Sequence, residues 1–144
     1  MIKCTHDSGS VVVCSDKAKL DIEKVKKKLH YCINKSTFWF GREWPYKDLT
    51  PRIIAEELLG DGSRALTDYK VLCFNGVPKL IEVHINRGTP DHTQDFYTID
   101  WERTEIVQTC EPMAKEPMPA PNCLNQMIEL SRTLCKGFMH IRVD

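Results

Sequence analysis

The sequence lacks long apolar runs and carries no excess charge of either sign. No stretch approaches the roughly 18 apolar residues of a membrane-crossing helix, so we expect no transmembrane span. Its 20 Lys and Arg are balanced by 20 Asp and Glu, which leaves no net field to hold nucleic acid or an anionic membrane. The N-terminus has no charged stretch followed by an apolar one, which is the pattern typical of a signal peptide. We therefore expect a cytoplasmic protein that does not bind nucleic acid.

The seven cysteines lack the close pairs that bind metals. Neighbouring cysteines are at least ten residues apart, as at Cys4 and Cys14, and no CxxC or CxH pair occurs. A structural zinc site needs such spacing, so we expect none. The remaining interpretation is reduced thiols, most of them small core residues.

Apolar periodicity predicts two helices. Asp21 can cap the first, and apolar residues recur at three- and four-residue spacing over roughly 21–34. The second begins near Leu124 and ends at Cys135, with Gly137 placed as a C-terminal glycine. Four prolines in 109–122 predict that this stretch has no regular structure.

Strand signals occur in seven places. Asn75-Gly76 lies between two apolar runs and predicts a hairpin with a type I′ turn. A small polar loop at 6–10 predicts an earlier hairpin. The predicted strands are 1–5, 11–14, 52–57, 68–74, 77–85, 95–101 and 138–143. The element order is β-β-α-β-β-β-β-α-β, which indicates an α+β fold of antiparallel sheets packed with helices.

Charge and aromatic residues are unevenly distributed. Residues 1–50 carry ten Lys and Arg and six Asp and Glu, a net charge of +4, concentrated in Lys17 to Lys28. That run coincides with a predicted helix, so a solvated helix face is favoured over a ligand patch. The aromatic stretch from Phe38 to Tyr46 predicts core packing and loop anchoring, with a sugar-stacking surface as the alternative.

Four stretches in this order resemble the ATP-grasp enzymes. They are IKCTHDSGS at 2–10, GREWPYK at 41–47 continuing to PRIIAEE at 51–57, DYKVLCFNG at 68–76, and IRVD at 141–144. They are most similar to the subfamily implicated in teichuronopeptide and other cell-surface polysaccharide biosynthesis, whose members are often described as glycosyltransferases. The GREWPYK stretch is the most specific of the four.

The resemblance implies a division of the chain. Residues 1–58 would form the ATP-grasp lid subdomain, and residues 59–144 the first part of the core subdomain. A substrate domain before Lys3 and the remaining metal ligands after Asp144 would lie outside this sequence. We therefore expect little or no turnover from residues 1–144 alone.

The resemblance also implies a nucleotide-binding set in the first half. Lys3 would donate to ATP phosphates beneath a small-residue loop whose N–H groups cradle the phosphate oxygens. Glu56 is the better match for the adenine amino contact, with Glu57 beside it. The remaining implied positions are the loop residues Ser8, Gly9 and Ser10, and backbone groups near Leu58 and Leu59.

A second set implied by the resemblance lies in the second half. Asp68 would accept from ribose hydroxyls, while Lys70 would neutralise phosphate charge where many relatives have Arg. Arg87 matches a position that contacts substrate or phosphate. Arg142 would steady the transferred phosphate, and Asp144 would be a Mg²⁺ ligand. The competing interpretations are a cross-strand ion pair for Asp68 and Lys70 and an exposed loop arginine for Arg87.

The resemblance implies an ATP-dependent carboxylate–amine ligase that uses ATP and Mg²⁺. ATP would phosphorylate a substrate carboxylate, and an amine would displace phosphate from the acylphosphate. Two alternatives stay open: a glycosyltransferase-type role with a sugar-containing acceptor, and an inactive nucleotide-binding fragment. The sequence indicates neither the acceptor nor the oligomeric state.

Overall fold

The structure is a computed structural model that describes residues 1–7, 9–57 and 66–144. It divides into two compact units, Met1–Ser63 and Arg64–Asp144. None of the helices in the described part of the chain reaches the length and apolarity that crossing a bilayer requires. The assignment of 1–58 to a lid and 59–144 to a core subdomain stays a prediction.

The first unit contains a two-stranded antiparallel sheet and two helices. Strand β1 (Ile2–Cys4) pairs with β2 (Ile53–Ala55), with Lys3 opposite Ile54. Helix α1 (Ile22–Ile33) begins where the Asp21 carboxylate accepts from the Lys24 N–H, as the sequence predicts. A one-turn helix α2 (Thr37–Gly41) follows. The buried apolar side chains of this unit are Cys4, Leu29 and Phe38.

The predicted first hairpin is wrong in its second strand. Residues 11–14 form no strand, and only Val12 bridges to Ile2, by two backbone hydrogen bonds of 2.8 Å. Side chains replace the missing backbone pairs: the Cys4 N–H donates to Ser10 Oγ at 2.7 Å, and the Ser10 hydroxyl donates to Asp7. The short polar loop is therefore held by serine and aspartate side chains rather than by a ladder.

The second unit is a four-stranded antiparallel sheet with one helix. The sheet order is β5 (Thr93–Thr98), β4 (Val77–Ile85), β3 (Asp68–Phe74) and β6 (His140–Val143). Helix α3 (Leu124–Leu134) contacts β3 and β4. Residues 109–122 contain no helix or strand, as their prolines predict. The α+β class with antiparallel sheets and helices is confirmed.

The core of the second unit lies between the sheet and α3. Alternate strand positions supply it, and its buried members are Val71, Cys73, Ile81, Val83, Tyr97 and Cys135. Trp101 stacks on Tyr97 at 4.5 Å between ring centroids and donates its indole N–H to the Met118 carbonyl at 2.8 Å. Trp101 has a φ of 64°, so the predicted strand 95–101 ends at Thr98 and turns.

The thiols are distributed differently from the prediction. All seven are free, but only Cys4, Cys73 and Cys135 are buried, while Cys110 and Cys123 are exposed. The pKa of Cys73 is raised to about 11, first by burial and next by a hydrogen bond with Cys135. The expectation that most thiols lie in the core is therefore wrong for this chain.

Candidate functional site

One face of the four-stranded sheet carries polar side chains. Residues directly opposite each other in antiparallel strands share a face, and Lys70 lies opposite Glu82, and Asp68 opposite His84. On the outer strands, Gln94 and Arg142 continue this set. We call the surface formed by these six side chains the polar face. The opposite face holds the apolar core against α3.

Asp68 connects two cations of the polar face. Lys70 Nζ lies 2.5 Å and Arg87 Nη1 lies 2.7 Å from the same oxygen, Oδ2 of Asp68. Burial alone would raise the pKa of Asp68, but the hydrogen bonds and charges of Lys70 and Arg87 together lower it below its ordinary value of 3.8. The carboxylate is therefore held ionised between a buried ammonium and an exposed guanidinium.

Arg142 and Asp144 form a two-point pair at the end of β6. Arg142 Nε donates to Oδ1 of Asp144 at 2.8 Å and Nη2 donates to Oδ2 at 3.1 Å. This hydrogen bonding is the largest cause that raises the pKa of Arg142. Lys70 Nζ lies 3.9 Å from Oδ2 of Asp144 and also contacts Asp68, so the ammonium stands between two carboxylates.

The structure thus brings five predicted site residues into one ion network. Asp68, Lys70, Arg87, Arg142 and Asp144 are linked pair by pair, and Lys70 at the centre is only 5% exposed. Within these five residues three cations stand against two carboxylates, and the Glu82 carboxylate lies opposite Lys70 on the same face. Such a cluster can accept an anion with several oxygens, because guanidinium and ammonium groups donate strongly to phosphate and carboxylate.

A second polar chain on the same sheet was not predicted. His84 Nε2 lies 2.6 Å from Glu82, and His84 Nδ1 lies 3.0 Å from His92 Nε2. His92 Nδ1 in turn lies 3.3 Å from Glu111, and Gln94 donates to Glu82 at 2.9 Å. The sequence offered the polar residues Glu82 and His84 at alternate positions of a strand as the only signal. Glu82 and His84 lie opposite Lys70 and Asp68 of the ion network, on the same face of the sheet.

In the first unit, Lys3 and Glu56 pair with each other. Lys3 Nζ lies 2.9 Å from the Glu56 carboxylate, and both side chains are partly exposed. Glu57 lies just past β2 and lines a cavity beside Glu56. Gly9 is exposed, whereas Ser10 is buried and bonded to Asp7 and Cys4. The predicted positions Ser8, Leu58 and Leu59 lie outside the described residues.

The described residues do not by themselves assemble a magnesium site. Mg²⁺ takes oxygen ligands in a near-octahedral arrangement. Among residues 1–7, 9–57 and 66–144, no group of three or more His, Cys, Asp or Glu is arranged to hold a metal. Both oxygens of Asp144, the predicted ligand, are bonded to Arg142.

Comparison with known proteins bears on the family. Searches of curated proteins and of solved structures give no significant match. A scan against protein-family profiles matches the family described as TupA-like ATPgrasp over residues 1–144. The match covers every stretch on which the resemblance rests and the whole of the ion network. The chain therefore belongs to the TupA-like ATP-grasp family.

Proposed function

We propose that the chain contributes to an ATP-dependent carboxylate–amine ligase of cell-surface polymer biosynthesis that works in the cytoplasm. The observation that carries this proposal is the ion network that gathers Lys70, Arg87 and Arg142 on one face of the sheet, in a chain of the ATP-grasp family. Three cations within one network suit the several anionic oxygens that a phosphoryl transfer brings together. The acceptor is expected to be a carboxylate on a polymer or its precursor.

ATP would supply the phosphoryl group in this reaction. A substrate carboxylate oxygen bonds to the γ-phosphorus while the bond to ADP breaks, and the resulting acylphosphate then loses phosphate as an amine bonds to its carbonyl carbon. The residues of the network would bind and position the anions. Lys70 would provide charge from a buried position, while Arg142 would offer the guanidinium edge that is not bonded to Asp144. Asp68 would orient Lys70 and accept from a ribose hydroxyl.

The other proposed nucleotide contacts are Lys3, Ser8, Gly9, Ser10, Glu56, Glu57 and Leu58. Their support is the family pattern, together with the contact between Lys3 and Glu56. The carboxylate of Glu56 would release Lys3 to a phosphate when it turns to an adenine amino group. Because a surface pair of this exposure is weak, such an exchange costs little.

The test is ATP binding by calorimetry with a matched pair of arginine variants. Arg142 and Arg132 each pair with one carboxylate and have similar exposed fractions, 49% and 51%. We expect Arg142→Gln to weaken ATP binding about tenfold, because a charge-assisted hydrogen bond to phosphate is lost. Arg132→Gln should leave it unchanged. Likewise, Lys3→Ala should weaken binding more than Lys47→Ala.

Two results would overturn the proposal. One is equal binding by both arginine variants. The other is binding of a UDP- or CDP-sugar with no binding of ATP, which would favour a glycosyltransferase-type role. ATP binding by the wild type with no difference between the lysine variants would remove only the assignment of Lys3.

A further inference from the structure

Residues 24–47 are strongly basic although the whole chain is neutral. This segment contains seven Lys and Arg and one acidic residue, Glu43, a net charge of +6. We call it the basic–aromatic segment. Its charge is confined to 24 consecutive residues of the first unit, so a local field exists that the zero net charge of the chain conceals.

Helix α1 gathers part of this charge on one side. Lys24, Lys27, Lys28 and Tyr31 follow the spacing i, i+3, i+4 and i+7, which places them along one helix face. All four are exposed. Among the described residues, Lys24 and Lys27 form no salt bridge, whereas Lys28 donates to the Val11 carbonyl. The solvated helix face predicted from the sequence is therefore also a positively charged stripe.

Large aromatic rings continue from this stripe into solvent. Trp39, Phe40 and Trp44 are 66%, 80% and 71% exposed, and Tyr31 is 61% exposed. Within the aromatic stretch Phe38 is buried and contacts Trp39 and Trp44, and Tyr46 is half-buried, so core packing describes only part of the stretch. A monomeric soluble protein rarely leaves a contiguous apolar patch uncovered, so such a patch indicates an interaction surface.

Three cations of the segment lie over its rings. Lys35 Nζ is 3.8 Å from the Tyr31 centroid, Arg42 is 5.2 Å from that of Trp39, and Lys47 is 4.7 Å from that of Trp44. None of these three cations forms a salt bridge within the described part of the chain. The three cations are thus held beside the rings, where Lys35 also donates to the Tyr31 hydroxyl, and within the described residues no carboxylate neutralises them.

We propose that the basic–aromatic segment docks on an anionic phospholipid surface. Trp and Tyr rings prefer the headgroup level of a bilayer, and Lys or Arg near an anionic leaflet each add attraction. The favoured occupant is a membrane rather than single-stranded nucleic acid, because base stacking needs free ring faces. Here Arg42 and Lys47 already lie over the rings of Trp39 and Trp44. The segment would lie on the surface without crossing the bilayer.

Vesicle sedimentation with the full chain tests this proposal. We expect binding to phosphatidylcholine vesicles that contain phosphatidylglycerol, little binding to phosphatidylcholine alone, and release by high salt. In a Trp101→Phe background, the emission of Trp39 and Trp44 should shift to the blue on binding. The triple variant Lys24→Gln, Lys27→Gln, Lys47→Gln should partition about a hundredfold more weakly, since each surface cation contributes independently.

The matched control has the same loss of charge elsewhere. Lys17, Lys79 and Lys136 are exposed and outside the segment, so their triple Gln variant should bind vesicles like the wild type. Circular dichroism of both triple variants verifies that they fold. Equal loss in both variants, binding to poly-glutamate or single-stranded DNA without binding to vesicles, or no binding to any probe would overturn the proposal. Self-association that depends on Trp39 and Trp44 without vesicle binding would do the same.

Discussion

At the scale of single residues, Asp68 links Lys70 and Arg87 in the ion network. Its carboxylate bonds to Lys70 and Arg87 and is held ionised by them, although burial opposes its charge. Because Lys70 is almost fully buried, its ammonium depends on this neighbour for compensation. The effect of Asp68 on stability therefore depends on pH.

We predict that Asp68→Asn destabilises the fold at neutral pH and that the difference shrinks in acid. The pKa of Asp68 is lower in the folded state than its ordinary value of 3.8, so its stabilisation is present above that value. It is lost as the pH falls through the folded-state pKa. Urea unfolding of wild type and variant from neutral pH to below pH 3.8 measures this. A constant difference over that range would contradict the assignment.

Asp95 gives a second prediction at this scale. It is fully buried and accepts from Arg103 Nη2 at 2.8 Å and from the Ala114 N–H at 3.1 Å. We expect Asp95→Ala to cost about 3 kcal/mol of unfolding free energy, because Arg103 loses its carboxylate and keeps only the Ala114 carbonyl, while the Ala114 N–H loses its acceptor. Asp100, which is exposed and forms no salt bridge among the described residues, supplies the control variant Asp100→Ala.

At the scale of elements, the β3–β4 hairpin sets the polar face. Its turn residues Asn75 and Gly76 have φ of 50° and 73°, the left-handed values that a type I′ turn requires. The Gly76 N–H also donates to the Phe138 carbonyl at 3.0 Å, next to β6. The turn therefore supports both neighbours of β3.

We predict that Gly76→Ala costs about 1 kcal/mol of unfolding free energy, because a Cβ disfavours this positive φ. Gly9→Ala is the control: its φ is not positive, and a Cβ there meets no described atom within 4 Å. Thermal or urea unfolding of the two variants compares them. A loss in Gly9→Ala as large as that in Gly76→Ala would show that backbone conformation is not the cause.

The sequence predicts this hairpin but not its register. A two-residue turn without interruption would place Lys70 opposite Ile81 and mix charged with apolar residues. A register shift between Leu72 and Cys73 instead places Lys70 opposite Glu82 and Val71 opposite Ile81. The helices and the Asn-Gly turn follow from local periodicity and backbone preference. The bulge depends on how both faces pack at once, which no local pattern reports.

The site is predictable to a similar degree. Alternation along β3 puts Asp68 and Lys70 on one face, and this is confirmed by their 2.5 Å contact. The contact of Lys70 with Asp144 needs the pairing of β3 with β6, which are far apart in sequence. The series of polar contacts that runs from Glu82 through His84 and His92 to Glu111 likewise depends on the loop after β5, so the sequence did not predict it. Pairs of side chains on one strand can be predicted from the sequence, whereas pairs that depend on the order of strands in the sheet cannot.

At the scale of the whole molecule, the chain consists of two compact units with separate buried clusters. The core members of the second unit, from Val71 to Cys135, all lie within Arg64–Asp144. The first unit has the smaller set Cys4, Leu29 and Phe38. Since apolar burial is the main source of stability, the second unit should be the more stable of the two.

We predict that residues 64–144 expressed alone unfold cooperatively, because their core cluster needs no residue of the first unit. Thermal denaturation followed by circular dichroism, and amide exchange at Val71 and Ile81, measure this. A broad transition without protected amides would contradict it. The variant Ile81→Ala should abolish the transition, whereas Leu130→Ala at an exposed position should preserve it.

Because the seven thiols differ in burial, their rates of alkylation can report how fast each unit unfolds. Cys110 and Cys123 can be capped at once by an alkylating reagent, whereas Cys4 and the pair Cys73 and Cys135 are shielded. A second, isotopically distinct reagent would then mark each shielded sulfur only after its own unit has opened. Peptide mass spectrometry of one unaltered sample would thereby give two separate waiting times, one at Cys4 and one at Cys73 and Cys135.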